Sequence, residues 1–587
     1  MRKTKIVCTL GLTSQTPDVI EQLMDAGMDV ARFNFSHGTH ESHKKVFDIV
    51  RELSAKKEIP IATVLDTKGP EVRLGDFENG KVTLKNGDGF ILTTETVLGD
   101  SSRVSISFAG LPDDITGGAT LLIDDGLIEL KVLRVEGSEI FCEVVNGGEV
   151  SNRKGLNVPG VALSQAYIGP QDLSDIIFGV ETGFDFIAAS FVRSANDIVE
   201  IRQILHDHQS DETRIIAKIE NAEGVANIDE ILRVSDGIMI ARGDMGVEIA
   251  FEELPSLQKI LIQKAYNAGK MVITATQMLE SMVHKPRPTR AETTDVANAI
   301  YDGTSATMLS GETANGLHPV KAVETMARIA ERTELDINYR KRFLNTEYSQ
   351  EKENVTNAIC HATCTSAYDL GAAAIITVTL SGDTARRISK YRPDIPILSC
   401  TTSEKTYRQM ALSWGVIPLM MKEESDLDEL FTQAVNSARK KELINDGDLV
   451  VITTGIPLGI SGTTNLLKIH IAGDVLVSGA GVNSLSACGN VCVARSEEEA
   501  VSKFKHNDIL VISKTSNNIL SLLKNAAGIV TEEDGLGSHA AIVGLALDIP
   551  VIVGARNATN ILKSGTIVTL DAERGVVSNN SHCKSGI

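Results

Sequence analysis

From Lys3 to about Glu334 the chain repeats one rhythm: a short apolar run, a turn, then apolar positions at helical spacing. The apolar runs fall at 5–10, 30–35, 61–65, 184–191, 214–219, 237–241, 271–275 and 306–309. Helical spacing follows at 18–26, 196–206, 228–234, 255–268, 290–301 and 319–332. Strand–helix alternation predicts a parallel sheet, because each parallel return needs a crossover helix. Eight such units are the number that closes a barrel, so the pattern predicts an α/β chain built on a (β/α)8 TIM barrel.

One interval breaks the rhythm. Residues 70 to about 168 alternate in the manner of strands at 81–84, 90–94, 119–123, 127–135 and 139–144, with Asn-Gly, Gly-Asp and Asp-Gly pairs between them. This reads as a β-rich domain inserted after the third strand. An insertion at that end of a barrel is placed to act as a lid. A charged helical linker at 334–352 leads to a second α/β pattern, with strand runs near 373–378, 395–400, 416–420, 448–453 and 466–471. The expected organisation is a catalytic barrel at 1–69 and 169–345, a β lid at 70–168, an α/β domain at 354–473 and an extra domain at 475–587.

Composition narrows the function. At 587 residues the chain needs several cores. No stretch approaches the ~18 uninterrupted apolar residues of a membrane span. The opening residues lack a secretory signal, so the expectation is a cytoplasmic protein without a membrane partner. The formal charge of −20 argues against nucleic acid as a partner. An anionic substrate must then meet a local cluster of cations, helped by bound metal. Cysteines at 8, 142, 360, 364, 400, 488, 492 and 583 form no Cys-x-x-Cys pair. Pairs four apart would need two further ligands to hold zinc, so buried reduced thiols are expected.

In barrel enzymes the reacting groups come from the C-terminal ends of the strands. The second strand ends Ala31-Arg-Phe-Asn-Phe-Ser-His-Gly38. Period two puts Arg32, Asn34 and Ser36 on one face, with Ala31, Phe33 and Phe35 toward the helices. A polar stripe on a buried strand is costly without a ligand. The third strand ends in Asp66 and continues to Arg73, the fifth carries Lys218 and Glu220 on one face, and the sixth ends Arg242-Gly-Asp244. The seventh ends Thr274-Ala-Thr-Gln277 and the eighth Ser310-Gly-Glu-Thr313. The mouth thus gathers Arg32, Arg73 and Lys218 with Asp66, Glu220 and Asp244, the cation cluster the acidic chain requires. Its carboxylates suit a hard octahedral cation such as Mg2+. Basic groups beside such a metal are what phosphoryl transfer needs, because its transition state spreads charge over equatorial oxygens. For any one pair a structural salt bridge is the alternative reading; polar residues at six strand ends together favour a site.

At these residues the chain resembles the pyruvate kinases. The matching stretches are Lys3-Thr-Lys-Ile-Val-Cys-Thr9, Ala31 to Gly38, Leu65-Asp-Thr-Lys-Gly-Pro-Glu71, Ile215-Ile-Ala-Lys-Ile-Glu-Asn221, Ala241-Arg-Gly-Asp-Met-Gly246, Thr274-Ala-Thr-Gln-Met-Leu279, Thr289-Arg-Ala-Glu292 and Met308-Leu-Ser-Gly-Glu-Thr313. The resemblance spans about residues 3–473 in unbroken order. It implies phosphoryl transfer between phosphoenolpyruvate and ADP, giving pyruvate and ATP at the last step of glycolysis, with Mg2+ (or Mn2+) and K+. By resemblance Lys218 stabilises the transferring phosphoryl group, and Arg32, Lys218 and Thr276 are catalytic. Arg32, Lys218, Gly243, Asp244 and Thr276 hold phosphoenolpyruvate. Asn34, His37, Arg73 and Lys154 contact the nucleotide, although His37 could equally cap the Gly38 turn. Glu220 and Asp244 are the implied Mg2+ ligands, and Asn34, Ser36, Asp66 and the Thr67 carbonyl the K+ ligands. Glu71, expected beside Asp66, matches the glutamate that accompanies K+ dependence. The resemblance further implies a homotetramer. The chain departs from the family at Leu12-Thr13, at 161–169 and at Ser305, where the family usually has Asp; none of these touches the metal or phosphoryl residues.

Thr379-Leu-Ser-Gly-Asp-Thr384 resembles the family's effector loop, which implies a phosphorylated small-molecule effector on Thr379, Ser381, Gly382 and Thr384. Asp383 would repel that phosphate unless it points away, and a plain strand-to-helix turn remains the alternative. The tail, around Thr531 to Val543, resembles the phosphohistidine domain of phosphoenolpyruvate-utilising enzymes, with His539 at the phosphorylated position. Gly537 and Leu545 replace a threonine and an arginine there, so a regulatory or stabilising module is expected. Two other functions remain: a metal-dependent enolate enzyme of the aldolase type, which would not need the lid and Lys154, and an inactive regulatory relative.

Overall fold

The computed structural model describes residues 2–345, 354–424, 426–457, 462–473 and 475–579. The C-terminal part of the expected linker, 346–352, and Cys583 lie outside the described residues. Eight strands, Lys5–Thr9, Val30–Asn34, Ala62–Asp66, Phe186–Ala189, Arg214–Ile219, Gly237–Ala241, Met271–Ala275 and Ala306–Leu309, form a closed barrel in sequence order. All eight pairings are parallel, the eighth strand closing on the first through Lys5↔Ala306 to Cys8↔Leu309.

Alternation along each strand builds two apolar layers. Val30, Val64, Phe186, Ile216, Met239, Ile273 and Met308 fill the interior. Ala31, Phe33, Leu65, Ile187, Ile215, Ile238 and Leu309 pack beneath the helices. Each large side chain so buried contributes roughly 1.5–3 kcal/mol. The interior cluster also takes in Ala411 and Leu412, from the short helix Met410–Leu412. The barrel helices are set by local signals. Thr39 and Thr289 each close a capping box onto their first turn, and Gly27 and Gly303 end helices at φ 114° and 102°, where a side chain would be strained.

Between the third and fourth strands the chain forms a six-stranded sheet, in the spatial order Leu156–Asn157, Thr120–Ile123, Ile128–Glu136, Glu139–Asn146, Gly89–Thr93, Arg103–Ser105. A separate antiparallel pair joins Lys81–Leu84 to Gly148–Ser151. This insertion has its own core around Phe90, Leu92, Leu121, Ile123 and Leu130.

The chain divides into two compact units, one of 1–361, 379–420 and 455–465, the other of 362–378, 421–454 and 466–587. The second unit contains the parallel pairing of Ala374–Val378 with Leu449–Gly455 through residues 374–377 and 450–453, and an eight-stranded mixed sheet built from the tail. Cys8, Cys142, Cys360, Cys364, Cys400 and Cys492 are buried thiols outside any disulfide. Cys488 departs from expectation: it lies exposed on the outer half of Ser486–Val493 and is disulfide-bonded. No helix among the described residues is long and apolar enough to cross a membrane.

Candidate active site

Four charged side chains converge at the mouth of the barrel. Arg32 Nε donates to Asp66 Oδ2 at 2.7 Å, and Lys218 Nζ donates to Asp66 Oδ1 at 3.1 Å. Lys218 Nζ also lies 3.0 Å from Glu220 Oε1 and 2.7 Å from Ser190 Oγ. Arg32 is further tied to Thr9 Oγ1 at 2.9 Å, and Glu220 accepts from the Phe191 N–H at 2.6 Å. None of the four is more than 8% exposed. Strand register supplies the convergence: Arg32 and Asp66 come from neighbouring strands aligned by Asn34↔Asp66, and Lys218 pairs with Met239 on the sixth strand.

The electrostatics follow from burial and neighbours. Burial opposes charge on Lys218, but Asp66 and Glu220 overcome it and hold the ammonium above its ordinary pKa. Desolvation likewise opposes charge on Asp66, and Arg32 and Lys218 outweigh it, so that carboxylate is held low. Glu220 and Asp244 are pushed up, chiefly by burial, and their side chains are hydrogen-bonded to each other. Two buried acids in contact ionise together only if a cation joins them. Among the described residues no three His, Cys, Asp or Glu are arranged around a metal. Two carboxylates are nevertheless the donor set that suits Mg2+, which keeps water and substrate oxygens.

Opposite this cluster, the insertion and the barrel enclose a cleft of about 500 Å³, lined by Glu71, Arg73, Asp124, Asp125 and Lys154 on one side and by Phe191, Arg193, Asn221, Asp244 and Glu248 on the other. That size suits a nucleotide. Lys154 Nζ is held by Asp124 Oδ1 at 2.8 Å, in a turn where Asp124 and Asp125 both take left-handed backbone, φ 53° and 54°. The Glu71 carboxylate accepts from Arg73 Nε at 2.7 Å, two residues along the same segment. Gly243 N–H donates to Thr276 Oγ1 at 2.8 Å. Thr276 and Gln277 hold φ 65° and 54°, a strained pair for which a β-branched residue is an unfavourable choice.

Not every predicted residue joins the cluster. Ser36 and His37 are exposed, and the His37 carbonyl accepts from His43 Nε2 at 2.8 Å. Asn34 Oδ1 accepts from the Ser36 N–H at 3.1 Å, and the Thr67 carbonyl accepts from Ser190 Oγ at 2.6 Å. Sequence reasoning missed Ser190, Thr9 and the Asp124–Asp125 turn. The signal for Ser190 was a hydroxyl near the end of the fourth apolar run, 184–191; for the turn, two acids before a glycine had marked only a reversal.

The loop 379–384 is closed on itself. Gly382 N–H donates to Thr379 Oγ1 at 3.0 Å, and the buried Thr384 Oγ1 is 2.7 Å from Thr464 Oγ1. The Ser381 carbonyl accepts from Arg214 and Arg386 at 3.1 and 3.0 Å. Asp383 is neutralised by Arg387 at 2.7 Å. In the tail, His539 begins the helix His539–Leu547. Its Nδ1 lies 2.9 Å from Thr515 Oγ1 and its Nε2 3.0 Å from Asn517 Oδ1.

A closed parallel barrel with a lidded cleft and a buried cluster of cations and carboxylates at its mouth defines a (β/α)8 enzyme. Residues 1–323 match the family model of the pyruvate kinase barrel domain, 357–470 that of the pyruvate kinase alpha/beta domain, and 504–575 that of the mobile domain of PEP-utilising enzymes. The chain is 49% identical to a pyruvate kinase of Geobacillus stearothermophilus, with 98% of both chains covered, and 47% identical to one of Sporosarcina psychrophila, with 99% of both covered. A crystal structure of a pyruvate kinase from Cryptosporidium parvum superimposes with TM-score 0.77 at 40% identity, over 80% of this chain and 96% of that one. The chain belongs to the pyruvate kinase family.

Proposed function

We propose that this chain transfers the phosphoryl group of phosphoenolpyruvate to ADP at the barrel mouth, with Lys218 as the group that stabilises it in flight. The observation that carries this reading is the buried Lys218 ammonium, kept charged between Asp66 and Glu220 with its Nζ at the mouth. Such a charge acts most strongly where water is excluded and where negative charge develops. Arg32, fixed by Asp66 and Thr9, orients the phosphate from the second strand. Thr276, in its strained backbone, and Gly243 support the carboxylate end. Glu220 and Asp244 would hold Mg2+, which supplies neutralisation of phosphate oxygens when bound. Asn34, Ser36, Asp66 and the Thr67 carbonyl are the proposed K+ ligands, in keeping with a family that is generally Mg2+ and K+ dependent.

Arg73 and Lys154 line the cleft that suits ADP, and we assign them and the exposed His37 to the nucleotide. Lys154, held by Asp124, moves to the nucleotide phosphates when the insertion closes, excluding water from a transfer that must not become hydrolysis. A phosphorylated effector is proposed at Thr379–Thr384, supported by Arg386 and Arg387 on the helix that follows. The homotetramer and the cytoplasmic setting belong to the same proposal.

The test is ADP-dependent release of pyruvate from phosphoenolpyruvate, with Mn2+ binding followed in parallel by electron paramagnetic resonance. The wild type turns over and chelation stops it. Glu220→Gln lowers kcat by ~10²-fold or more and weakens Mn2+ binding. Full turnover and unchanged Mn2+ binding in that variant would remove Glu220 from the site.

A further inference from the structure

Away from the mouth, the buried Arg392 makes no salt bridge among the described residues. Arg392 follows the helix Asp383–Lys390, is 5% exposed and takes the left-handed φ of 48°, which turns its side chain inward against the barrel. Its Nη2 donates to the Gly303 carbonyl at 3.0 Å and to Ser305 Oγ at 3.1 Å. Its Nε and Nη1 have no hydrogen-bond partner among the described residues, and neither has the buried Ser413 Oγ nearby. The guanidinium lies over Trp414, 4.7 Å from the ring centre, so its faces are covered while its edge remains to be satisfied.

The carboxylate that acts on its charge, Glu334, is engaged elsewhere, as are Asp383 and Asp236, which act on Arg386 beside it. Glu334 binds the backbone N–H groups of Lys3 and Thr4 at 2.8 and 2.6 Å. Asp383 binds Arg387, and Asp236 binds Arg202 and Arg214. The nearby charged side chains Lys270 and Arg386 line the same cavity as Arg392, Ser305, Ser413 and Trp414, and both are cations. Burial, with Tyr266 and Tyr339 as the main opposing influences, lowers the Arg392 guanidinium to a pKa of about 10. A buried guanidinium with open donors, no carboxylate hydrogen-bonded to it among the described residues and cations lining its cavity is costly unless an anion joins it.

We infer that this cavity is a binding site for a small monovalent inorganic anion of halide size, held on the open edge of Arg392 and by Ser413 Oγ. The cavity measures about 20 Å³, room for one or two water-sized bodies. That excludes phosphate and organic anions and selects a halide, with chloride as the abundant candidate. Water fits the space but brings no charge. Ser305 sits at the N-terminal end of the eighth strand, the face of a barrel that serves stability rather than chemistry. The anion therefore fastens the segment 379–420 to the underside of the barrel.

The experiment uses the full-length protein, with Ser305→Asp as the variant, since a carboxylate there lies within reach of Arg392 and supplies the missing charge from the chain itself. Apparent Tm is measured in chloride and in gluconate at equal ionic strength, and crystals grown without halide are soaked in bromide for anomalous diffraction. In the wild type chloride raises Tm over gluconate by about 2 °C or more, and a bromide peak appears against Arg392 Nε and Nη1. In Ser305→Asp the chloride effect vanishes, the peak is lost, and Tm in gluconate reaches at least the wild-type value in chloride. A cavity that holds only water after the bromide soak overturns the proposal, as does an equal chloride response in wild type and Ser305→Asp.

Discussion

At the barrel mouth salt bridges link Arg32 to Asp66, Asp66 to Lys218 and Lys218 to Glu220, all buried, with Asp244 hydrogen-bonded to Glu220. In the tail, His539 has Thr515 on one ring nitrogen and Asn517 on the other, and Leu536, Ile542 and Leu545 stand exposed around its helix start. Both places could be read as phosphoryl sites from their residue types. They differ in what is left over. The mouth carries two acids that burial keeps from ionising together and a lysine held charged against burial, an imbalance that metal and phosphate would resolve. The histidine's polar atoms are already satisfied by neutral partners, and the positions that could add donors are Gly537 and Leu545. A phosphohistidine needs donors around its phosphate. Unresolved charge, rather than the presence of a nucleophile, marks the reactive region.

The comparison breaks most sharply at Asp66. Asp66→Ala leaves Arg32 and Lys218 as buried cations without their shared partner, which costs about 3–5 kcal/mol of stability. Denaturant unfolding monitored beside turnover should show both falling. A variant that is stable but inactive, or active but unstable, would separate the two roles Asp66 holds. Next in size is Lys154→Ala, which removes the charge-assisted contact proposed to the nucleotide. It raises KM for ADP roughly 10-fold or more while leaving phosphoenolpyruvate binding alone. A change confined to phosphoenolpyruvate would move Lys154 out of the cleft's nucleotide side. Replacing K+ by tetramethylammonium lowers the rate, because the proposed site beside Asp66 is then short of positive charge. Equal rates in the two buffers would leave Asp66 with Arg32 and Lys218 only. The smallest effect belongs to the tail: removing residues 475–587 leaves turnover largely intact and alters stability, assembly or effector response. Loss of turnover there would give the tail a share in the chemistry.

The eight barrel strands were legible because each is a short apolar run that ends where polar residues begin, and seven of them start and stop within a residue of the run that announced them. The polar ends of the second, third and fifth strands were legible for the same reason, since Arg32, Asp66, Lys218 and Glu220 interrupt runs that burial should have kept apolar. What escaped notice depends on partners distant in sequence. Ser190 reaches Lys218 across 28 residues and Asp124 reaches Lys154 across 30. Glu71 pairs locally with Arg73, a choice of rotamer that spacing does not encode. Trp414 meets Tyr339 at 5.2 Å and Arg392, partners distant in sequence that its own segment does not predict. Pairs such as Thr384 with Thr464 decide how a loop closes, and no periodicity announces them.

The central claim is that phosphoryl transfer runs at the barrel mouth through Lys218 and does not pass through His539. It is tested most directly by measuring pyruvate formation from phosphoenolpyruvate and ADP in Lys218→Met and His539→Ala beside the wild type, with phosphoenolpyruvate labelled in its phosphoryl group so that any label on the protein is seen. The account predicts that Lys218→Met, still folded, loses ~10³-fold or more in kcat, because its charge acts chiefly on the transition state. His539→Ala should turn over as the wild type does, and no acid-labile, base-stable label should form on any of the three proteins. Near-normal turnover in Lys218→Met, or such a label on the wild type that disappears in His539→Ala, would contradict it.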